Sequence, residues 1–285
     1  MPLGPQRGSA HVQRIERRQL DVQYARWDAH IEKISPVSCD TSRVMTIEAP
    51  ALSRPRPGLY DRQFYTGMAL AAAVVVFVGF SPTFFLRNDQ STSLPLFLLI
   101  HGSLFTTWIA LFIAQTSLVA ARRTDLHRRL GWATAALAAV MVVVGMTTGI
   151  VAMQGHLPDQ GDAALSFLTT PLFSMVAFAT LVGAAIRFRR DPQTHKRLMV
   201  LATISILDAA VARLPFAFLR SSEWNYIPTT DLFLAAAILY DVVSRRSVHR
   251  AYIWGGALLV VEQALRIPVG ETESWKTIAR MLIGS

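Results

Sequence analysis

Five ionisable side chains stand inside long apolar runs of this sequence: His101, Asp208, Arg213, Glu262 and Arg266. A charge or an imidazole in a hydrocarbon interior is expensive, so each marks a position with a job to do. Glu262 and Arg266 are four residues apart and share one helical face, which lets them pair directly. Asp208 and Arg213 are five apart, about 140° around a helix, so each needs a partner on another helix. Two acids and two arginines balance in charge. One reading is that the set fixes helix register. The other is an outward-facing polar cavity for a small anion, a polar headgroup or protons. There the arginines supply charge and Asp208 or Glu262 titrates.

The histidines offer a second chemistry. His127, His195 and His249 each follow an arginine pair and a short polar spacer and precede Lys or Arg, as in Arg189-Arg190-Asp191-Pro192-Gln193-Thr194-His195-Lys196. His101 and His156 lie toward the opposite ends of their runs. Two imidazoles at one depth on facing helices are what a haem b needs as axial ligands. The candidates are His101, His127, His156 and His195. The competing reading is that histidines beside Arg or Lys contact lipid phosphates or the terminal carbonyls of a helix. No HExxH pattern occurs, and the single Cys39 rules out an internal disulfide or a cysteine-based metal cluster within one chain. No P-loop, Rossmann glycine pattern or GxSxG elbow is present, so no reaction class is indicated.

The elements that must position these residues are apolar. The 285-residue chain is 52% hydrophobic and 16% charged, with a mean hydropathy of +0.35. Its charges are clustered, which leaves windows long enough to cross a bilayer core of about 30 Å. The pattern predicts an all-α polytopic transmembrane helical bundle of about seven spans, one leading helix followed by three hairpins. The spans are placed at 64–86, 94–120, 130–151, 164–186, 198–219, 227–243 and 251–269. The sixth is the shortest and is flanked by Asp231 and Asp241; a soluble core helix is the alternative there. Gly131, Ala135, Ala138, Gly145 and Gly149 put a column of small residues on one face of the third span, a surface for close helix packing.

The formal net charge is +9. Its arginines and lysines collect in the three hairpin turns, which puts those turns and the N-terminus in the cytoplasm and the C-terminus outside. That distribution explains the basic pI without nucleic acid, for which no binding motif is present. Tyr65, Trp132, Tyr240, Tyr252 and Trp254 at the inner ends, with Trp224 and Tyr226 at the outer ends, fit interfacial anchoring. Residues 1–57 read as a polar tail ending in a Pro-rich linker, or as an over-extended start with translation beginning at Met45. A weak helical signal (Ile15, Leu20, Tyr24, Trp27, Ile31) drifts off one face. Residues 58–269 form the membrane domain and 270–285 a short C-terminal tail.

From about Pro57 to Pro268 the chain resembles a family of uncharacterised bacterial multi-pass inner-membrane proteins. The residues that carry the likeness are Gly58-Leu59-Tyr60-Asp61-Arg62, Gly79-Phe80-Ser81-Pro82-Thr83-Phe84-Phe85-Leu86-Arg87, His101-Gly102, Leu126-His127-Arg128-Arg129-Leu130-Gly131 and Asp191-Pro192-Gln193-Thr194-His195-Lys196-Arg197-Leu198-Met199. The resemblance implies a bacterial plasma-membrane protein and brings no activity. A looser likeness to di-haem b-type cytochromes rests on histidines near both faces of a bundle. Three functions follow as expectations. The first is binding or transport of a small ligand or protons, the second a haem-binding electron carrier, the third an assembly partner using the Gly145–Gly149 face. The expected partners are the lipid bilayer and anionic headgroups at the basic turns.

Overall fold

The computed structural model describes residues 59–87 and 93–284. The expected tail, its weak helix and the Met45 start lie outside the described residues. Among those described there is no strand, and the fold is an all-α bundle.

The first pass is α1 (Leu59–Phe80), which runs on into a π-helical turn over Ser81–Phe85. Ser81 Oγ donates to the Phe77 carbonyl (2.7 Å) just before Pro82, where the α-helical ladder is broken. Then come α2 (Leu96–Ala120) and α3 (Thr124–Gln160). The fourth pass is split into α4 (Asp162–Phe167) and α5 (Thr169–Arg187), the break falling at Leu168 shortly before Pro171. The fifth is α6 (Pro192–Ile204), an interruption, and α7 (Asp208–Val211); a short α8 (Ala217–Arg220) follows. The sixth and seventh are α9 (Glu223–Arg245) and α10 (Arg250–Gly270), and α11 (Glu273–Ile283) closes the chain.

Five of these passes are long and apolar enough to cross a membrane: 60–85, 96–120, 124–160, 162–187 and 223–245. The sixth expected span is among them, at 23 residues. The fifth is not, because its helix is interrupted, and the seventh is not, because Glu262, Gln263 and Arg266 lower its hydropathy. The bundle is also apolar outside: Val74 is 61% exposed, Val143 65% and Leu232 64%, all in mid-helix. Water does not tolerate such a continuous belt, and lipid does. The chain is a membrane protein.

Two boundaries differ from expectation. The third helix runs 37 residues, so His156 and Asp159 belong to its last turns rather than to a loop. The C-terminal tail is the amphipathic helix α11. It buries Ala279 and Ile283 against Met153, Leu165 and Leu168, and Trp275 Nε1 donates to the Leu165 carbonyl (2.8 Å). The aromatic assignments also divide. Trp132, Trp254 and Trp224 are exposed, as interfacial anchors must be, whereas Tyr65, Tyr252 and Tyr226 are buried core residues.

Close packing depends on glycine where expected and also elsewhere. A Cβ on Gly145 would lie 2.5 Å from Met175 Sδ, and one on Gly149 would lie 3.1 Å from Pro171 Cβ, so the small-residue face of α3 packs against α5. The surface expected to meet an assembly partner is therefore taken up within the chain. A Cβ on Gly79 would overlap the Ala210 carbonyl oxygen and sit 3.0 Å from its carbon, which is backbone and has nowhere to go. Gly79→Val should thus destabilise the bundle by about 1–3 kcal/mol through forced separation of α1 and α7. Gly67, on the same helix, has nothing within 4 Å of a built Cβ. Gly67→Ala should be neutral or stabilising by up to about 1 kcal/mol. Unfolding in mixed detergent micelles measures both; equal effects would contradict the packing.

The basic turns gather at one end of the bundle. Lys196 on α6 pairs with Asp61 on α1, and Arg197 with Asp241 on α9. Arg245 Nη1 donates to Gln193 Oε1 (2.9 Å), and the His127 and His195 rings lie 6.2 Å apart. All three turns thus lie together. Asp191 caps α6, accepting from Gln193 N (3.0 Å) and Thr194 Oγ1 (2.7 Å). The Thr194 bond is the main reason its carboxyl is held below the ordinary range. A depressed folded value means the stabilisation is present above the ordinary carboxyl range and lost as pH falls through the folded one. Asp191→Ala should cost about 1 kcal/mol above roughly pH 5, an upper figure for so exposed a group, and progressively less in acid. Unfolding midpoints across pH check this; a pH-independent difference would overturn it.

Candidate functional site

The opposite end of the bundle holds a cluster built on Arg266. Its guanidinium is fully buried on α10, and three carboxyl groups surround it. Asp208 Oδ2 lies 2.7 Å from Nη2, Glu223 Oε2 3.6 Å from Nε, and Glu262 Oε1 3.6 Å from Nη1. Ser174 Oγ on α5 is 3.4 Å from Nη1, and Thr170 Oγ1 donates to Glu223 (3.1 Å to Oε2). Next to it, Gln263 Nε2 donates to Asp231 Oδ1 (3.1 Å), joining α10 to α9. Four elements (α5, α7, α9 and α10) thus meet at one buried cation.

Local sequence explains how each group arrives. Glu262 and Arg266 are one turn apart on α10, as their spacing requires. Glu223 opens α9 directly after the Ser222 N-cap, whose side chain accepts from Trp224 N (3.2 Å). Asp208 is the first residue of α7, where the fifth pass resumes after its interruption. There Ile206 N and Leu207 N bond back three residues, to the Thr203 (3.3 Å) and Ile204 (3.0 Å) carbonyls, instead of four. This tightens the chain and ends α6 within the bundle.

The cluster is crowded with charge but sparsely hydrogen-bonded. Only the Asp208 contact is short; Glu223 and Glu262 stand off at 3.6 Å. The cluster thus holds more carboxyl groups than cations.

Of the five residues the sequence singled out, Asp208, Glu262 and Arg266 come together and the other two do not. Arg213 is exposed, with its guanidinium 5.0 Å from the Phe80 ring centroid and Nη1 donating to the Ala209 carbonyl (2.8 Å). His101 stacks on Phe105 at 4.1 Å. Glu223 and Asp231 were missed. The place of Glu223 after Ser222 and before an apolar run is a helix-start signal that could have found it.

The histidines lie in separate parts of the bundle. His101 is at the cluster end of α2, and His156 is exposed near the end of α3. Only His127 and His195 approach each other. His195 Nδ1 faces the Ala185 carbonyl (2.8 Å), so it donates and its lone pair is on Nε2. Gln115 Nε2 donates to Thr134 Oγ1 (3.1 Å), and the Gln115 amide lies against His127. His195 binds a carbonyl in the last turn of α5, and His249 caps α10 by accepting from Ala251 N (3.2 Å). Among the described residues no group of three or more His, Cys, Asp or Glu is placed to hold a metal ion.

Comparison with family models, with curated proteins and with solved structures returned no match.

Proposed function

We propose that the protein is a proton-coupled transporter of a bacterial plasma membrane, with the Arg266 cluster as its proton-binding site. The observation that carries this is a buried guanidinium faced by three carboxyl groups where the helical path is broken between α6 and α7 inside the bundle. Interrupted helices at charged sites are a recurrent way to bind coupling ions, because the short half can move without unravelling the rest. The positive-inside distribution supports a cytoplasmic basic end and, with it, a cluster in the outer half.

The mechanism follows from the charge count. A proton entering from outside settles on Glu262, the carboxyl left at 3.6 Å while Asp208 holds Arg266 at 2.7 Å. Neutralising Glu262 shifts Arg266 toward Asp208 and draws α7 onto α10. The interruption at Ser205–Leu207 is where the backbone turns. The proton thus biases an equilibrium between a cluster closed on Arg266 and one opened at α7.

The test is a current recording from proteoliposomes on a solid support. An acid jump on the outer side should displace charge as protons bind, even with no solute present. No displacement in the unaltered protein would overturn the proposal.

A further inference from the structure

At the basic end, far along the bundle from Arg266, a cavity of about 630 Å³ opens between α1, α2, α3, α5 and α6. That is the size of a small-molecule site. Its body is apolar, with Trp108, Phe112, Val182 and Met199 among the walls. Its mouth is cationic, lined by Arg62, Arg128, Arg189 and Arg190. Among the described residues, none of these four arginines is within 4 Å of a carboxylate oxygen, whereas Lys196 beside them is held by Asp61. Arg62 Nε is buried without a hydrogen-bond partner. His127 also lines the cavity.

We infer that this cavity is a binding site for an anionic phospholipid, with the phosphate at the arginine mouth and an acyl chain in the apolar body. Both halves of the ligand are required by what lines the space. Arginines without carboxylate partners call for an anion with several acceptor oxygens, which a phosphate supplies. Walls of Trp, Phe, Val and Met call for hydrocarbon. The mouth lies at the level of the basic turns, where the phosphates of that leaflet sit, and basic pockets between helices on the cytoplasmic side recognise such headgroups. The inference uses no residue of the Arg266 cluster and stands whether or not that cluster binds protons.

Native mass spectrometry of the full chain in a non-ionic detergent tests it, with phosphatidylglycerol, phosphatidylcholine and glycerol 3-phosphate as probes. Phosphatidylglycerol should be retained one per chain, phosphatidylcholine at least about tenfold more weakly, and glycerol 3-phosphate not at all. Replacing Arg189→Gln and Arg190→Gln together should weaken phosphatidylglycerol about thirtyfold, near fivefold per charge, without disturbing the fold. Ala135→Trp, filling the body while leaving the mouth intact, should abolish retention, and Glu262→Gln should leave it unchanged. Equal binding of phosphatidylcholine would overturn the charge requirement. Binding of glycerol 3-phosphate as tight as the lipid would leave a free-phosphate site only. An unchanged double arginine variant, or a Soret band showing a porphyrin in the cavity, would overturn the assignment outright.

Discussion

Asp241→Leu lowers the stability of the folded bundle by about 3–5 kcal/mol, and adding Arg197→Met restores most of that loss. Neither Arg197 nor Asp241 has any exposed side-chain surface. The guanidinium forks onto the carboxylate, with Nε 2.9 Å from Oδ2 and Nη2 on Oδ1. It also donates from Nη1 to the Gln193 carbonyl (2.7 Å) and Oε1 (2.9 Å). Asp241 Oδ2 in turn accepts from His249 N (3.0 Å). One ion pair therefore locks α6, α9 and the start of α10 at the basic end. Removing the carboxylate strands a buried arginine, which is the expensive step. Removing both charges leaves two apolar side chains of similar volume, which a buried site accepts. A double-mutant cycle in mixed micelles measures it. Single substitutions that each cost under about 1 kcal/mol would show that the pair is not holding the helices.

Glu262→Gln slows the acid-jump response by at least about 10²-fold while inserted protein and its unfolding midpoint stay near the unaltered values. Asp208→Asn slows it as much but also lowers the midpoint, because it takes away the carboxylate 2.7 Å from a buried arginine. Each variant keeps the side-chain shape and removes a proton-binding oxygen from a cluster with surplus carboxyls. Glu223→Gln should have a smaller effect, because Glu223 is more exposed and already accepts from Thr170. Arg266→Met should act in the other direction on the fold. It strands three carboxyl groups around an apolar side chain and destabilises the cluster end. A response unchanged in both Glu262→Gln and Asp208→Asn would remove these carboxyls from any proton pathway.

Much of the architecture was legible because membrane passes announce themselves by length and apolarity. The passes through α1, α2, α3, α5 and α9 needed little beyond that. The one-sided gathering of the basic turns also followed from composition. What was not legible is which partner each buried charge takes. Glu262 with Arg266 could be read from spacing, since a single helix fixes their geometry. Asp208 with Arg266, and Arg197 with Asp241, join residues far apart in sequence, and helix packing alone decides them. Arg197 read as one more cytoplasmic charge, yet it is buried in an ion pair. Arg213 read as a network member, yet it lies over Phe80. The interruption after Ile204 has no proline or glycine to signal it; Asp208 was the only visible mark. The cavity escaped notice because five separate elements line it.

The most direct test of proton binding at Arg266 is an infrared difference spectrum of the purified protein between acid and alkaline buffer. A carbonyl-stretch band from a protonated carboxyl, present in the unaltered protein and missing from Glu262→Gln or Asp208→Asn, is the expected result. A spectrum that both variants share unchanged with the unaltered protein would contradict proton binding at this cluster.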